Sequence, residues 1–555
     1  MKKLFIAVMA LATIVSCSKE NEEANVTPVG SETAFLSVSL KSVGDMTRAE
    51  VGSYEYGSEE ENAIENATFY FFDAAGNAYN VDTDNAVEVK ADQLTWETED
   101  TENTIAKFSD IVLVIKQHKD TPPAKMVALI NVADPAVFAR QSLADLQKMT
   151  TDFQTGTRFV MSNSVYSENG ATVVATEILP ENIFTTPDPA DDVNPGDVYK
   201  APASVTPVQI YVERVAAKVR VAVNSVAIKK DTYYPVYGAD GNAIEDTFVK
   251  VLGWDVTNAT TTSYLLKSYA ETNLFSPVNN SAFHRSYWAA TYPQNPTHGF
   301  KFTDLNSTAA RYYHENALTP INNEGWFNAN SFEGSTKAAQ LLVAAQLVDA
   351  EGNPKQFAKW YGKEYDCDPA ALKAAMINNA AKQIFVLDSE KSTDAEKVYN
   401  GISVDDVTFY HISSDTEYDP YNYDGDRRYE VKVKAKVGVQ YYSAKKDADG
   451  NPIALKADEV NAILEKIEPA MIWDTGYTYY YTMINHFGNA NGMVRNHIYD
   501  INITSFNGLG TPVYEPDQFT IIIPETPIDQ EAYHMTAQIN VLQWALVSQD
   551  VALGN

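Results

Sequence analysis

The sequence is poor in the residues from which most sites are built. Two cysteines in 555 residues, Cys17 and Cys367, exclude a disulfide framework. Basic side chains are also scarce: 42 Lys and Arg stand against 74 Asp and Glu, a formal charge of −32. Binding nucleic acid needs a basic face to neutralise phosphates, and docking on an anionic bilayer needs basic clusters, so both are excluded. No Gly-x-Ser-x-Gly elbow occurs, and Gly508-Leu509-Gly510 is far from a dinucleotide fingerprint. His314-Glu315-Asn316-Ala317-Leu318 opens like a zinc-protease helix, but Leu318 stands where the second ligand belongs. Among so many acidic residues no two single themselves out as a glycosidase pair. Cys367, flanked by Asp366 and Asp368, sits in the wrong field for a stabilised thiolate. No catalytic residue, metal ligand or cofactor follows from this sequence.

What is present points to β-structure. The chain is 45% hydrophobic with 33 Tyr and 23 Phe, enough for the cores of two or three domains. Leu36, Val38 and Leu40 alternate with Ser37, Ser39 and Lys41, which predicts a strand with one apolar face ahead of a polar loop. Four turns of related sequence, ending at Asn77, Asn242, Asn353 and Asn451, predict hairpins rather than calcium loops, which lack the required carboxylate. Ser142 predicts a helix cap, residues 183–207 a proline-rich linker, and 340–348 a strand. Long half-buried strands are predicted at 215–223 and 429–441, and a helix at 368–382. Near the C-terminus Tyr533, Met535, Ala537, Ile539 and Val541 share one parity, while Trp544 and Leu546 follow the other, which predicts a bulge or break at Leu542. A terminal strand after Pro524 and Pro527 either tucks into its own sheet or is given to another subunit.

The N-terminus reads as an export signal: Lys2 and Lys3, an apolar run from Leu4 to Val15 too short to span a bilayer, and Ser16. Ile14-Val15-Ser16-Cys17 resembles a bacterial lipobox, in which Cys17 is acylated and becomes the new N-terminus. The acidic tail from Ser18 to Glu23 resembles the surface-export signal of Bacteroidetes lipoproteins.

Several segments together resemble a Bacteroidales fimbrillin, a type V pilus subunit. They are the lipobox, Thr47-Arg48-Ala49 after the first strand, Met161-Ser162-Asn163-Ser164, Val212 to Val219, Tyr479-Tyr480-Tyr481 and Val494 to Ile501. With the terminal strand around Trp544, the chain is most similar to the stalk subunit of the minor, short fimbriae. The resemblance implies a mainly β fold of two β-sandwich-like (transthyretin-like) domains, the second with α-helical insertions. It divides the chain into a signal peptide (1–16), a propeptide with a removable strand (17–48), an N-terminal domain (49–205), a C-terminal domain (206–530, insertion around 252–400) and a donor strand (531–555). It further implies that a precursor carried to the outer membrane on a transient lipid anchor is cut by an arginine-specific protease between Arg48 and Ala49. Losing Leu36, Val38 and Leu40 would open a groove, filled by the terminal strand of another copy. Implied partners are further copies and accessory anchor and tip subunits, in a fimbrium on the cell surface. The other reading left open is a surface glycan-binding outer-membrane lipoprotein that uses the aromatic residues of 254–326.

Overall fold

The computed structural model describes residues 34–43, 57–90 except 59, 105–116, 121–185 except 169–170, 201–268 except 239 and 258, 279–280, 284–286, 289–292, 300–317, 339–412 except 367–368 and 394–395, 429–486, 492–513, 516–517, 519–520 and 534–543. Within them the protein is mainly β, with two nine-stranded sheets and several smaller ones.

The first sheet centres on β1 (Ala34–Val43), β2 (Ile105–Ile115) and β3 (Val208–Arg214). β1 runs antiparallel to β2 on one side and parallel to β3 on the other. Beyond β3 follow Met161–Asn163, Lys125–Ile130, Asn66–Phe72 and Ala86–Lys90. Asn66–Phe72 is buried on both faces, because Ala67, Phe69 and Phe71 enter one core while Tyr70 and Phe72 enter another. The second core lies under the short helix Leu143–Leu146, whose cap is Ser142, its side chain accepting from the Asp145 amide as the sequence predicts.

The second sheet contains β4 (Ala216–Val223), β5 (Gln340–Val348), β6 (Tyr477–Met483), β7 (His497–Asn507) and β8 (His534–Gln543). Its order is Arg311–His314, β4, β7, Tyr233–Tyr237, Ala243–Thr257, β5, β6 and Thr511–Pro512, with β8 also paired to β7. The change of sheet falls at Val215, so β3 belongs with the first sheet although the sequence reading groups it with the second domain. β4 is buried on both faces as far as Val219, where half-burial is expected. Ala216 packs with Phe159 and Ile498, and Lys218 is ion-paired to Glu61.

The insertion expected around 252–400 is displaced. Ala243–Thr257 and β5 are strands of the main sheet, whereas residues 357–473 form five- and four-stranded sheets around a core of their own. This unit interrupts the connection between β5 and β6, which are antiparallel neighbours. Inside it the long strand expected over 429–441 is broken. Glu430–Ala435 ends in a turn where Gly438 takes φ +86° and Val437 is 98% exposed, and Tyr441–Lys446 starts anew. The helix expected at 368–382 is present as Pro369–Ile377, followed by a single 3-10 turn, Ala380–Lys382.

Of the four related turns, Asp240–Asn242 and Asp447–Asn451 close hairpins. The turns at Asp73 and Asp349 reverse the chain through single bridges instead, Phe72 to Ala78 and Val348 to Pro354. In each of these two, the aspartate accepts from the amide and the side chain of the asparagine four residues on. Such bonds to the ionised form hold Asp349 below the usual carboxylate range.

Candidate functional site

The site begins with the seating of β1. Along its whole length it is laddered to β2, with Leu36 opposite Leu113 and Val38 opposite Ile111. On the other edge its start pairs with Ile183–Phe184, inside the expected linker, and its remainder with β3, where Val38 faces Val208 and Leu40 faces Ile210. Leu36 and Val38 are wholly buried among Ile111, Leu113, Ile115, Val208, Ile210 and Val212. Burying each such side chain is worth roughly 1.5–3 kcal/mol. Ser37 and Ser39 are also buried, at 5% and 3% exposure, so β1 has two covered faces where the alternation predicts one. Among the described residues β2 has no ladder except the one with β1. Removing β1 would therefore leave an apolar slot and, among the described residues, unpaired edges on β2, β3 and Ile183–Phe184.

The second half of the site is β8, paired antiparallel to β7 from His534 to Gln543. Met535 stands opposite Phe506, Ala537 opposite Ile503, Ile539 opposite Ile501 and Val541 opposite Tyr499. The register shift lies between Ile503 and Ser505 on β7, not at Leu542, which pairs regularly with Ile498. An extra residue in β7 lets Ile503 and Phe506 share the buried face, so β8 keeps an unbroken alternation against them. β8 holds a single ladder among the described residues. Cys17, Arg48, Ala49, Tyr533, Trp544 and Leu546 lie outside the described residues.

Three of the segments that carry the resemblance meet where the two sheets join. Val212, Glu213 and Arg214 pair with Asn163, Ser162 and Met161. Lys218 and Val219 pair with Ile498 and Tyr499, and the Asn496 amide donates to the Ala216 carbonyl at 2.6 Å. Arg495 is fully buried here and donates to Glu315 through Nε (3.0 Å) and Nη2 (2.5 Å). Lys267 pairs with Glu213 at 2.8 Å, both fully buried. Glu315 thus serves as counter-ion to a buried arginine. Next to it, burial pushes the His314 pKa down to about 4, against the opposing pull of Asp152 at 3.3 Å. Sequence reading misses Glu61, whose carboxylate enters this joint from a polar loop with no periodic signal.

Residues 472–550 match the family described as Major fimbrial subunit protein type IV, Fimbrillin, C-terminal. No curated protein matches the chain in sequence. Among solved structures, a candidate cell adhesion protein from Parabacteroides distasonis is 13% identical, with 94% of this chain and 99% of that one covered at a TM-score of 0.37. The tip fimbrial protein Mfa3 from Porphyromonas gingivalis, C-terminally truncated, is 8% identical, with 92% and 100% covered at 0.31. A fimbrial assembly protein from Parabacteroides distasonis is 13% identical, with 60% and 86% covered at 0.27. The region of this chain that carries β6, β7 and β8 is thus similar to the C-terminal part of a fimbrillin.

Proposed function

We propose that the chain is a structural, non-catalytic fimbrial subunit that polymerises by strand exchange into the stalk of short surface fimbriae, for adhesion and biofilm formation. Its precursor is acylated at Cys17, reaches the outer membrane, and is cut between Arg48 and Ala49 by an arginine-specific protease. β1 then leaves, and the terminal strand of another copy, through Met535, Ala537, Ile539 and Val541, takes its place; anchor and tip subunits end the filament. The two large sheets act as transthyretin-like sandwich domains. The observation that carries this reading is the seating of β1, whose own neighbours β2 and β3 present a matched apolar slot. The family match over 472–550 supports a fimbrial role. Until the cut, β1 keeps the slot closed against premature assembly.

The test uses purified precursor without the lipid, treated with an arginine-specific protease. A new N-terminus at Ala49, with a denaturant-resistant ladder that disappears when 533–555 are deleted, is the expected result. A clean cut that leaves only monomer would sink strand exchange and favour the glycan-binding lipoprotein.

A further inference from the structure

The first described residues beyond the expected cut, 57–58 and 60–62, are built into the joint between the two sheets. The Glu61 carboxylate is 3% exposed and accepts from Lys218 Nζ (2.7 Å), from the Ser58 amide (2.8 Å) and from the Tyr312 hydroxyl. Burial alone would raise its pKa, but the Lys218, Tyr312 and Ser58 bonds outweigh it and hold the carboxyl below its ordinary value. The Arg214 guanidinium donates to the Glu61 carbonyl (3.0 Å), to the Asn62 side chain and to Asn496 Oδ1 (3.4 Å). Asn62 closes the loop by donating to the Gly57 carbonyl at 2.6 Å. The chain then continues onto Asn131, which donates to the Ala63 carbonyl (2.9 Å) and accepts from the Glu65 amide (2.8 Å).

The partners come from both sheets. Arg214 ends β3, Lys218 lies in β4, Tyr312 in Arg311–His314, and Asn496 immediately precedes β7. The upstream end of the cut loop is fixed on the same strand, since Ser42 of β1 is in register with Val212 of β3. β1 and the residues around Glu61, on either side of the expected cut, are therefore held at two near-neighbouring points of β3, Val212 and Arg214. Their two holds differ in kind. β1 is retained by ladders and apolar burial, which an incoming strand can reproduce. Residues 57–62 are retained by the buried Glu61 carboxylate on Lys218 and by the Arg214 guanidinium on the Glu61 carbonyl and the Asn62 side chain, polar holds that an apolar strand cannot reproduce.

We propose that residues 57–62 are a retaining clamp, with Glu61 as its positioning residue: after the cut they hold the new N-terminal end at the joint, so that β1 leaves alone and β3 stays in place as a wall of the slot. This rests on the proposed removal of β1.

The test is hydrogen exchange on monomers, read over 208–220 and 311–316. Compared are the wild-type precursor, its Glu61→Gln variant, each before and after the protease, and a chain that starts at Ala63. The expected result is that wild type keeps its protection after the cut. Glu61→Gln loses at least tenfold only after the cut, because β1 steadies β3 before it, and the Ala63 chain exchanges as fast as the cut variant. Equal protection in cut wild type and cut variant overturns the clamp, as does a loss already complete before the cut, which marks a merely structural role. If the Ala63 chain does not fold, the variant pair decides alone. Failure of every chain to polymerise would sink strand exchange, while exchange in the monomers still decides the clamp.

Discussion

Arg495, Glu315 and His314 share one buried pocket at the joint, and the charges there set the state of the histidine. Its Nδ1 lies 3.0 Å from Ser263 Oγ and its Nε2 3.3 Å from Asp152. Burial is the largest influence and favours the neutral ring. Arg495 nearby adds to it, while Asp152 and Glu315 oppose. The ordinary value is 6.5 and the folded value about 4, so the unfolded chain takes up this proton first as the pH falls. The stability it contributes is complete above pH 6.5 and is lost as the pH drops towards 4, amounting to roughly 3 kcal/mol. The carboxylates held low, Glu61 among them, lose theirs below about 4.5 and leave the upper part of this window to the histidine. Urea unfolding of the precursor should therefore show a midpoint that falls between pH 6.5 and 5 in wild type and much less in His314→Gln. Parallel slopes in the two proteins would refute the assignment.

At the scale of strands, β2 is the element most exposed to the loss of β1. It contributes Ile111, Leu113 and Ile115 to the core, yet its described backbone ladder goes to β1. In a chain that starts at Ala49, the amides of 105–115 should exchange at least tenfold faster than in the precursor. A peptide of sequence 34–43 added in trans should slow them again. Protection of β2 that is indifferent to β1 would mean that side-chain packing alone holds it. Much of this was legible in the sequence: the parity of Leu36, Val38 and Leu40 marks the strand, and that of Met535 to Val541 marks β8. What was not legible is pairing over distance. Nothing local in 105–115 names β1 as its partner, and the compensating bulge sits in β7, away from the parity change that suggested one. The inserted unit escaped for a related reason, since its strands are as β-prone as those around it and only their separate core sets them apart. Its first and last strands pair with each other, Phe357 opposite Trp473 and Ala358 opposite Ile472, while Phe357 and Trp473 lie in the main core. Replacing 359–471 by Asn-Gly should thus give a tight hairpin and a body that still unfolds cooperatively, with its melting temperature lowered by only a few degrees. A protein that fails to fold, or melts without cooperativity, would show the unit to be integral to the main sheet.

For the whole molecule the governing quantity is charge. The expected cut removes Lys2, Lys3, Lys19, Lys41 and Arg48 together with Glu20, Glu22, Glu23, Glu32 and Asp45, so the mature chain keeps the formal −32 of the precursor. Two such bodies repel each other over a Debye length of about 20–30 Å at low salt, and only about 8 Å at physiological ionic strength. The strand that would cross between them carries none of this charge, since His534 to Gln543 contains no Asp, Glu, Lys or Arg. Approach and exchange should therefore respond differently to salt. The rate of ladder formation by cut protein should rise severalfold between about 20 and about 150 mM NaCl, as repulsion between the bodies is screened. The denaturant resistance of the finished ladder, set by apolar burial and backbone bonds, should stay the same. A rate that falls with salt would overturn this account and point to complementary charged patches between neighbouring bodies. A ladder whose resistance falls with salt would mean that ion pairs, and not the uncharged strand, hold the copies together.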